Sequence, residues 1–155
     1  MLTLTQQPAV RAEMLIRRPA EEVYEAFVDP DVTTKFWFTK SSGRLEADKQ
    51  VRWEWEMYGV GDTLLVQELV PNQRIQVKWS DHTITEWTFS PRGDGETFVS
   101  IANYGFEGSG DEIVSQAIDG MGGYTMVLCA LKALLEHNVI LNVVADKAPD
   151  ANVVS

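Results

Sequence analysis

The sequence has few cysteines, few histidines and few basic residues, and each scarcity excludes a class of protein. Cys129 is the only cysteine, so no disulfide can form within the chain. It cannot build a zinc site with His82 and His137, because these three residues lack the spacing of a ligand set. With 13 basic residues against 23 acidic ones and no basic stripe, the surface repels phosphate backbones. We therefore expect no metal, no cofactor and no nucleic-acid partner.

Long apolar runs are also missing. The longest, MVLCAL at 126–131, ends at Lys132 and is far shorter than the roughly 20 residues of a membrane span. The N-terminal MLTLTQQPAV lacks the basic region and apolar core of a signal peptide. These features predict a cytoplasmic protein without membrane insertion.

The familiar catalytic signatures are absent as well. The sequence contains no HExxH, CxxC or GxSxG motif. GMGGYT begins like a dinucleotide fingerprint, but Thr125 stands where the third glycine belongs and no strand is predicted before it. Cys129 lies among apolar neighbours of a predicted helix, which favours a buried small hydrophobe over a nucleophile. No residue is thereby marked as catalytic.

Alternating apolar and polar residues predict a sheet. The first strand is followed by Pro19, which suits a helix start, and Asp29-Pro30 then separates that helix from a second short one. Between about 42 and 105 the chain reads as strands joined by short turns, which favours antiparallel pairing. The predicted strands are 10–18, 43–47, 50–58, 63–70, 74–79, 83–89 and 98–104.

A helical period follows residue 108. Ser109 and Glu112 have the spacing of a capping box, and an apolar stripe continues to about His137. Three glycines, at 120, 122 and 123, mark either a break between two helices or a close approach. We predict that they lie where the last helix crosses the sheet, and that they leave room at the mouth of a cavity.

These elements predict one α+β domain over 1–155. A long C-terminal helix covering a curved antiparallel sheet is the simplest packing, with two short helices after the first strand. The chain end, about 146–155, is polar, and we expect it to be flexible.

Tryptophan is the unusual component. In VRWEWEMYG, residues 51–59, a period of two places Val51, Trp53, Trp55 and Met57 on one face. Trp79 and Trp87 lie on other predicted strands, and we infer that all four tryptophans share the inner face. Either they fill a core against the long helix, or they line a hollow in which their N–H groups need partners.

Four segments carry a family resemblance: PAEEVYEAFVDPDVTTKFW, VQELVPNQRIQVKW, GDGETFVSIANYGF and GGYTMVLCALKALLEHNVILNVVAD. In this order they resemble the Activator of Hsp90 ATPase homologue 1-like family of the START/Bet v 1-like (SRPBCC) superfamily. The chain departs from the family pattern at Tyr124, where a Trp commonly follows the glycine, and at Glu96, between Gly95 and Thr97. The resemblance implies a helix-grip fold, in which a seven-stranded antiparallel sheet wraps round the C-terminal helix and leaves a cavity.

Superfamily members bind apolar molecules, and some cyclise or hydrolyse aromatic polyketides, but the family has no shared catalytic motif. Our leading hypothesis is a binding module that holds a small apolar or aromatic ligand. The residues expected to line its cavity are Trp53, Trp55, Trp79, Trp87, Phe89, Glu68, Asn103, Tyr104, Tyr124 and Leu128.

Two alternatives remain open. The first is an enzyme of the cyclase or hydrolase kind that uses the polar candidates Glu68, Asn103, Tyr104 and Tyr124 in the same cavity. The second is a co-chaperone-like regulator of an Hsp90-type ATPase, which acts through its acidic outer surface. The convex sheet face also allows a homodimer.

Overall fold

A computed structural model of the chain describes residues 1–152. Seven antiparallel strands form one sheet in the order β1-β7-β6-β5-β4-β3-β2, which confirms the predicted sheet. The strands are β1 Val10–Ile16, β2 Lys40–Ser41, β3 Gln50–Trp55, β4 Val60–Val70, β5 Arg74–Lys78, β6 Ile84–Pro91 and β7 Thr97–Tyr104.

Short helices follow the first strand, and a long helix follows the last. The α-helices are α1 Ala20–Val28, α2 Pro30–Thr33, α3 Gly110–His137 and α4 Val143–Asp146, with 3-10 turns at Glu56–Tyr58 and Pro149–Ala151. This arrangement is the α+β helix-grip fold that the sequence predicts.

The predicted break between the first two helices is confirmed. Asp29 adopts extended backbone after α1, and its side chain accepts a hydrogen bond of 3.0 Å from the N–H of Asp31. Pro30 then occupies the first turn of α2, where its missing N–H costs nothing.

α3 begins with the expected capping box. The Glu112 N–H donates to Ser109 Oγ at 3.2 Å, and the Ser109 N–H donates to Glu112 at 3.3 Å. The helix runs unbroken through its three glycines to His137, so the alternative of two separate helices is wrong. Among residues 1–152, α3 is the one helix that is long and apolar enough to cross a membrane, but it packs on β1 and buries an apolar stripe. The buried residues of α3 are Ile113, Val127, Leu128, Ala130, Leu131 and Leu134.

One predicted strand is shorter than expected, and another is absent from residues 1–152. β3 ends at Trp55, and Met57 falls in the 3-10 turn instead of on the tryptophan face. No strand spans 43–47 in the described structure, because the Leu45 N–H donates to the carbonyl of Val28 at the end of α1. The short strand β2 precedes that segment and pairs with β3 at Ser41–Trp53.

The core lies between the inner face of the sheet and the helices α1, α2 and α3. The predicted flexible end includes residues 153–155, which lie outside the described residues. Residues 146–152 are exposed, and their flexibility stays a prediction.

Candidate functional site

One part of the inner face is completely filled. The ring of Phe38 stacks on Trp53 with centroids 4.3 Å apart, and Phe27 lies 5.8 Å from Trp87. Tyr24 covers Phe89 edge-on at 5.7 Å. We call this part the filled zone, which comprises Tyr24, Phe27, Phe38, Trp53, Trp87, Phe89 and Leu128.

Four residues expected to line the cavity lie in the filled zone. Trp53, Trp87, Phe89 and Leu128 are at most 3% exposed, and none of them lines the open space beside the helix. Aromatic side chains of α1 and of the loop after α2 cover Trp53, Trp87 and Phe89. Leu128 is fully buried on α3, so all four residues belong to the protein core. The indole N–H of Trp87 is buried without a hydrogen-bond partner among residues 1–152.

A second part of the inner face remains open. An apolar cleft of about 270 Å³ lies between the sheet and α3. Trp55, Trp79 and Tyr124, all expected at the cavity, do line it. The cleft residues are Trp37, Trp55, Trp79, Gly120, Gly123, Tyr124, Met126, Val127 and Val144.

Trp37, which sequence reasoning did not select, occupies the centre of the aromatic cluster. Its ring centroid lies 5.0 Å from Trp53, 6.2 Å from Trp55, 6.5 Å from Trp79 and 5.9 Å from Tyr124. Trp37 follows α2 and lies on no strand, so alternation along strands could not identify it. The run KFWF at 35–38 was the available signal, because three consecutive aromatic residues in a loop need a packing partner.

Polar groups beside the cleft converge on one buried hydroxyl. Thr85 Oγ1 accepts hydrogen bonds from Trp79 Nε1 at 2.8 Å and from Asn103 Nδ2 at 3.1 Å. It also lies 2.8 Å from the Tyr124 hydroxyl. Asn103 Nδ2 donates a second bond to the carbonyl of Ile84 at 2.9 Å. Asn103, a predicted site residue, therefore faces inward and helps to hold the Tyr124 hydroxyl in place.

Tyr124 stays neutral over the physiological range. Burial raises the pKa of its phenol to about 12, and the hydrogen bond with Thr85 only partly offsets this effect. The side chain is therefore an uncharged hydrogen-bonding group inside an apolar cleft.

Glu68 and Tyr104, expected at the cavity, lie on the outer face instead. Strict alternation would place Glu68 with the buried Val66, but a bulge in β4 shifts the register between them. Glu68 instead pairs with Arg74 at 3.4 Å. Tyr104 follows the inward-facing Asn103 in β7, so its side chain must point outward, where the hydroxyl donates to Glu86 at 2.7 Å.

The glycines of α3 have different surroundings. A Cβ on Gly120 would lie 3.1 Å from Val10 and 3.4 Å from Asn103 Oδ1, so here the helix approaches the sheet closely. A Cβ on Gly123 would meet nothing within 4 Å, so this glycine leaves open space in the cleft. Gly122 lies on the exposed side of the helix, near Lys147.

The segment after α3 covers one side of the cleft. Val144 of α4 lines it, and the hydroxyl of Tyr58 donates to the carbonyl of Val144. This bond ties α4 to the 3-10 turn after β3.

Cys129 is exposed on α3, where it faces away from the sheet, so the expectation of a buried residue is wrong. Within residues 1–152, no three His, Cys, Asp or Glu side chains are grouped to hold a metal ion.

The sheet, the long helix and the cleft between them define a protein of the helix-grip class. Solved structures agree. A protein from Staphylococcus saprophyticus is 29% identical, with a TM-score of 0.77, and the match covers 86% of this chain and 96% of that one. The Aha1 dimer from Colwellia psychrerythraea is 18% identical, with a TM-score of 0.70, over 84% of this chain and 97% of that one. DynU16, from the dynemicin biosynthetic locus, is 19% identical, with a TM-score of 0.71, over 85% of this chain and 48% of that one.

The particular family follows from the sequence match. A family model described as Activator of Hsp90 ATPase homolog 1-like protein matches residues 17–136, and the chain belongs to that family. No curated protein matches the chain significantly.

Proposed function

We propose that the protein binds a small apolar or aromatic molecule in the cleft between the sheet and α3. The observation that carries the proposal is the open cleft of about 270 Å³ with its tryptophan lining. Apolar concave sites with a few placed polar groups are typical of small-molecule binding. The fold supports the proposal too, because members of this superfamily commonly bind hydrophobic ligands.

The shape of the lining favours a flat ring. The ring centroids of Trp55 and Trp79 lie 6.2 and 6.5 Å from that of Trp37, and all three indoles line the cleft. Aromatic rings gain offset-stacked and edge-to-face contacts of about 0.5–1.5 kcal/mol each beyond the burial of area. An aromatic ligand would gain these contacts at several walls of the cleft, whereas an aliphatic chain would gain area burial alone.

The scarcity of titratable groups in the cleft favours ligand binding over catalysis. Of the residues that line the cleft, only Tyr124 titrates, and its raised pKa makes it a poor base. Of the four polar candidates for an enzyme, Glu68 and Tyr104 face outward and Asn103 does not titrate. A cyclase or hydrolase reaction would thus have a single weak acid at the site.

The experiment is native mass spectrometry of the purified protein, followed by titration with an apolar fluorescent probe such as N-phenyl-1-naphthylamine. We expect a bound small molecule or saturable probe binding, together with quenching of tryptophan fluorescence. Trp55→Ala should abolish probe binding, whereas Glu56→Ala, on an exposed residue of the adjacent 3-10 turn, should preserve it. Equal probe binding by both variants would refute the cleft as the binding site.

The remaining expectations concern partners and location. The family description names an Hsp90 ATPase, and the Colwellia neighbour is a dimer, but nothing in residues 1–152 favours a chaperone partner over a ligand. A homodimer through the outer sheet face, and a cytoplasmic location, stay proposals. Light scattering coupled to size-exclusion chromatography tests the first, and cell fractionation tests the second.

A further inference from the structure

Three hydrogen-bonding groups surround the hydroxyl of Thr85, and together they fix the direction of every bond. The indole N–H of Trp79 can only donate. The amide of Asn103 is oriented by its bond to the Ile84 carbonyl, so the group facing Thr85 is its NH₂, a second donor. A hydroxyl oxygen has two lone pairs, and these two donors occupy both of them.

The hydroxyl hydrogen of Thr85 must therefore point to the third neighbour. That neighbour is the Tyr124 hydroxyl at 2.8 Å, which accepts this bond. Tyr124 cannot donate its own hydrogen to Thr85, since no lone pair is left there. The phenolic hydrogen has no other acceptor among the described residues, and the half-buried side chain lines the cleft. A donor left without a partner forgoes the free energy of a hydrogen bond, so this hydrogen is available to an acceptor that enters the cleft.

A second open group lies close by. Asn103 is 6% exposed, and its Oδ1 has no hydrogen-bond partner within residues 1–152. This oxygen lies beside Gly120, because a Cβ built on that glycine would approach it to 3.4 Å. Gly120 and Tyr124 both line the cleft. The apolar cleft thus carries one free donor, and a free acceptor lies beside one of its lining glycines.

We propose that the ligand places an oxygen acceptor against the Tyr124 hydroxyl, with the rest of its body among the tryptophans. This inference rests on the proposed function and specifies its ligand class as an aromatic or apolar molecule that carries a hydroxyl or carbonyl oxygen. Either a hydroxyl or a carbonyl oxygen can accept a hydrogen bond from Tyr124. The neutral state of the phenol supports the donor role, because an ionised phenol would have no hydrogen to give.

The test compares 2-naphthol with 2-methylnaphthalene, two probes that differ by a hydroxyl in place of a methyl group. Their dissociation constants are measured by equilibrium dialysis on the wild-type protein, on Tyr124→Phe and on Tyr104→Phe. Tyr104→Phe is the matched control, because its hydroxyl bonds Glu86 on the outer face. The quantity of interest is the preference for 2-naphthol, which is the ratio of the two dissociation constants for each protein.

We expect Tyr124→Phe to reduce this preference by about two- to tenfold, the value of one net hydrogen bond, while 2-methylnaphthalene still binds. Tyr104→Phe should leave the preference unchanged. If Tyr124→Phe keeps the wild-type preference while both probes bind, the inference fails and the proposed function survives. If neither probe binds the wild-type protein, both fail.

Discussion

The filled zone and the cleft lie on the same sheet face and use the same residue type, yet only one of them is open. β3 shows the contrast within three residues, because Trp53 lies under the stacked ring of Phe38 whereas Trp55 has only edge contacts at more than 6 Å. What separates the two zones is the covering layer. Side chains of α1 and of the loop after α2 close the filled zone, and no side chain of comparable size occupies the space beside Gly123. A cluster of tryptophans on a sheet therefore leaves space for a ligand only where the opposite layer is incomplete.

The largest expected effect tests the filled zone. Trp53→Ala should lower the free energy of unfolding by about 3–5 kcal/mol, because the side chain is 1% exposed and its removal leaves a cavity under Phe38. Chemical denaturation measures this loss. A change below about 1 kcal/mol would show that Trp53 is not packed as described.

Trp55→Ala is the partner experiment in the cleft. Its indole lacks contacts on the cleft side, so the stability loss should stay below about 3 kcal/mol while binding of the apolar probe disappears. Equal stability losses for Trp53→Ala and Trp55→Ala, with no probe binding to the wild type, would mean that both zones are filled.

Alkaline pH distinguishes the buried phenol of the cleft from ordinary tyrosines. The pKa of Tyr124 is about 12 in the folded protein against about 10 when unfolded, so folding favours the neutral form. The associated stability is complete below pH 10 and is lost as pH rises toward 12, with a total of about 2–3 kcal/mol. Urea denaturation from pH 9 to pH 12 should show this decline in Tyr104→Phe, and a shallower decline in Tyr124→Phe. Identical pH profiles would contradict the burial of Tyr124.

The hydrogen bonds to Thr85 Oγ1, at the polar edge of the cleft, should contribute to the stability of the protein. Thr85→Val keeps the side-chain shape but leaves the Trp79 indole N–H and the Tyr124 hydroxyl without their partner, at a cost of about 1–3 kcal/mol. Thr88→Val, at an exposed position of the same strand, should change stability by about 0.5 kcal/mol or less. Thermal denaturation of the two variants provides the comparison. Equal effects would show that the three bonds to Thr85 contribute no net stability.

Substitution of Gly123 should have the smallest effect on stability, although it should abolish probe binding. Gly123→Leu places its side chain in open space and gains up to about 1 kcal/mol of helix propensity, but it should block probe binding. Gly122→Leu, on the exposed side of α3, should gain similar stability and keep binding intact. Loss of binding in both variants would point to a general disturbance of α3 and not to filling of the cleft.

The sequence predicted the fold well because its signals are local. Strand alternation, the capping box of Ser109 and Glu112, and the Asp29-Pro30 break each depend on neighbouring residues, and the structure confirms them. The errors arose where a strand departs from strict alternation of inward and outward side chains. The bulge in β4 turns Glu68 outward, and the 3-10 turn removes Met57 from the tryptophan face.

The candidate site was harder to predict, because its membership depends on contacts between distant segments. Trp53, Trp87, Phe89 and Leu128 face inward as expected, but residues from elsewhere in the chain cover them. Trp37 contributes to the cleft from a loop and follows no strand period. The meeting of Trp79, Thr85 and Tyr124 at one oxygen involves β6, the segment before it and the last long helix, and no sequence spacing encodes it.

The pairing of β1 with β7 has a consequence for how the chain acquires its structure. Val10 lies opposite Asn103 and Ile16 opposite Thr97. β1 therefore cannot form its hydrogen bonds in the sheet until β7 has been synthesised. Such distant pairing raises the contact order, which slows folding relative to proteins built from local contacts. Until α3 is also made and docked, Trp55 and Trp79 lack the helix that faces them across the cleft, and they expose an aggregation-prone surface. During synthesis the growing chain therefore passes through a vulnerable interval, which ends only when residues beyond 110 leave the ribosome.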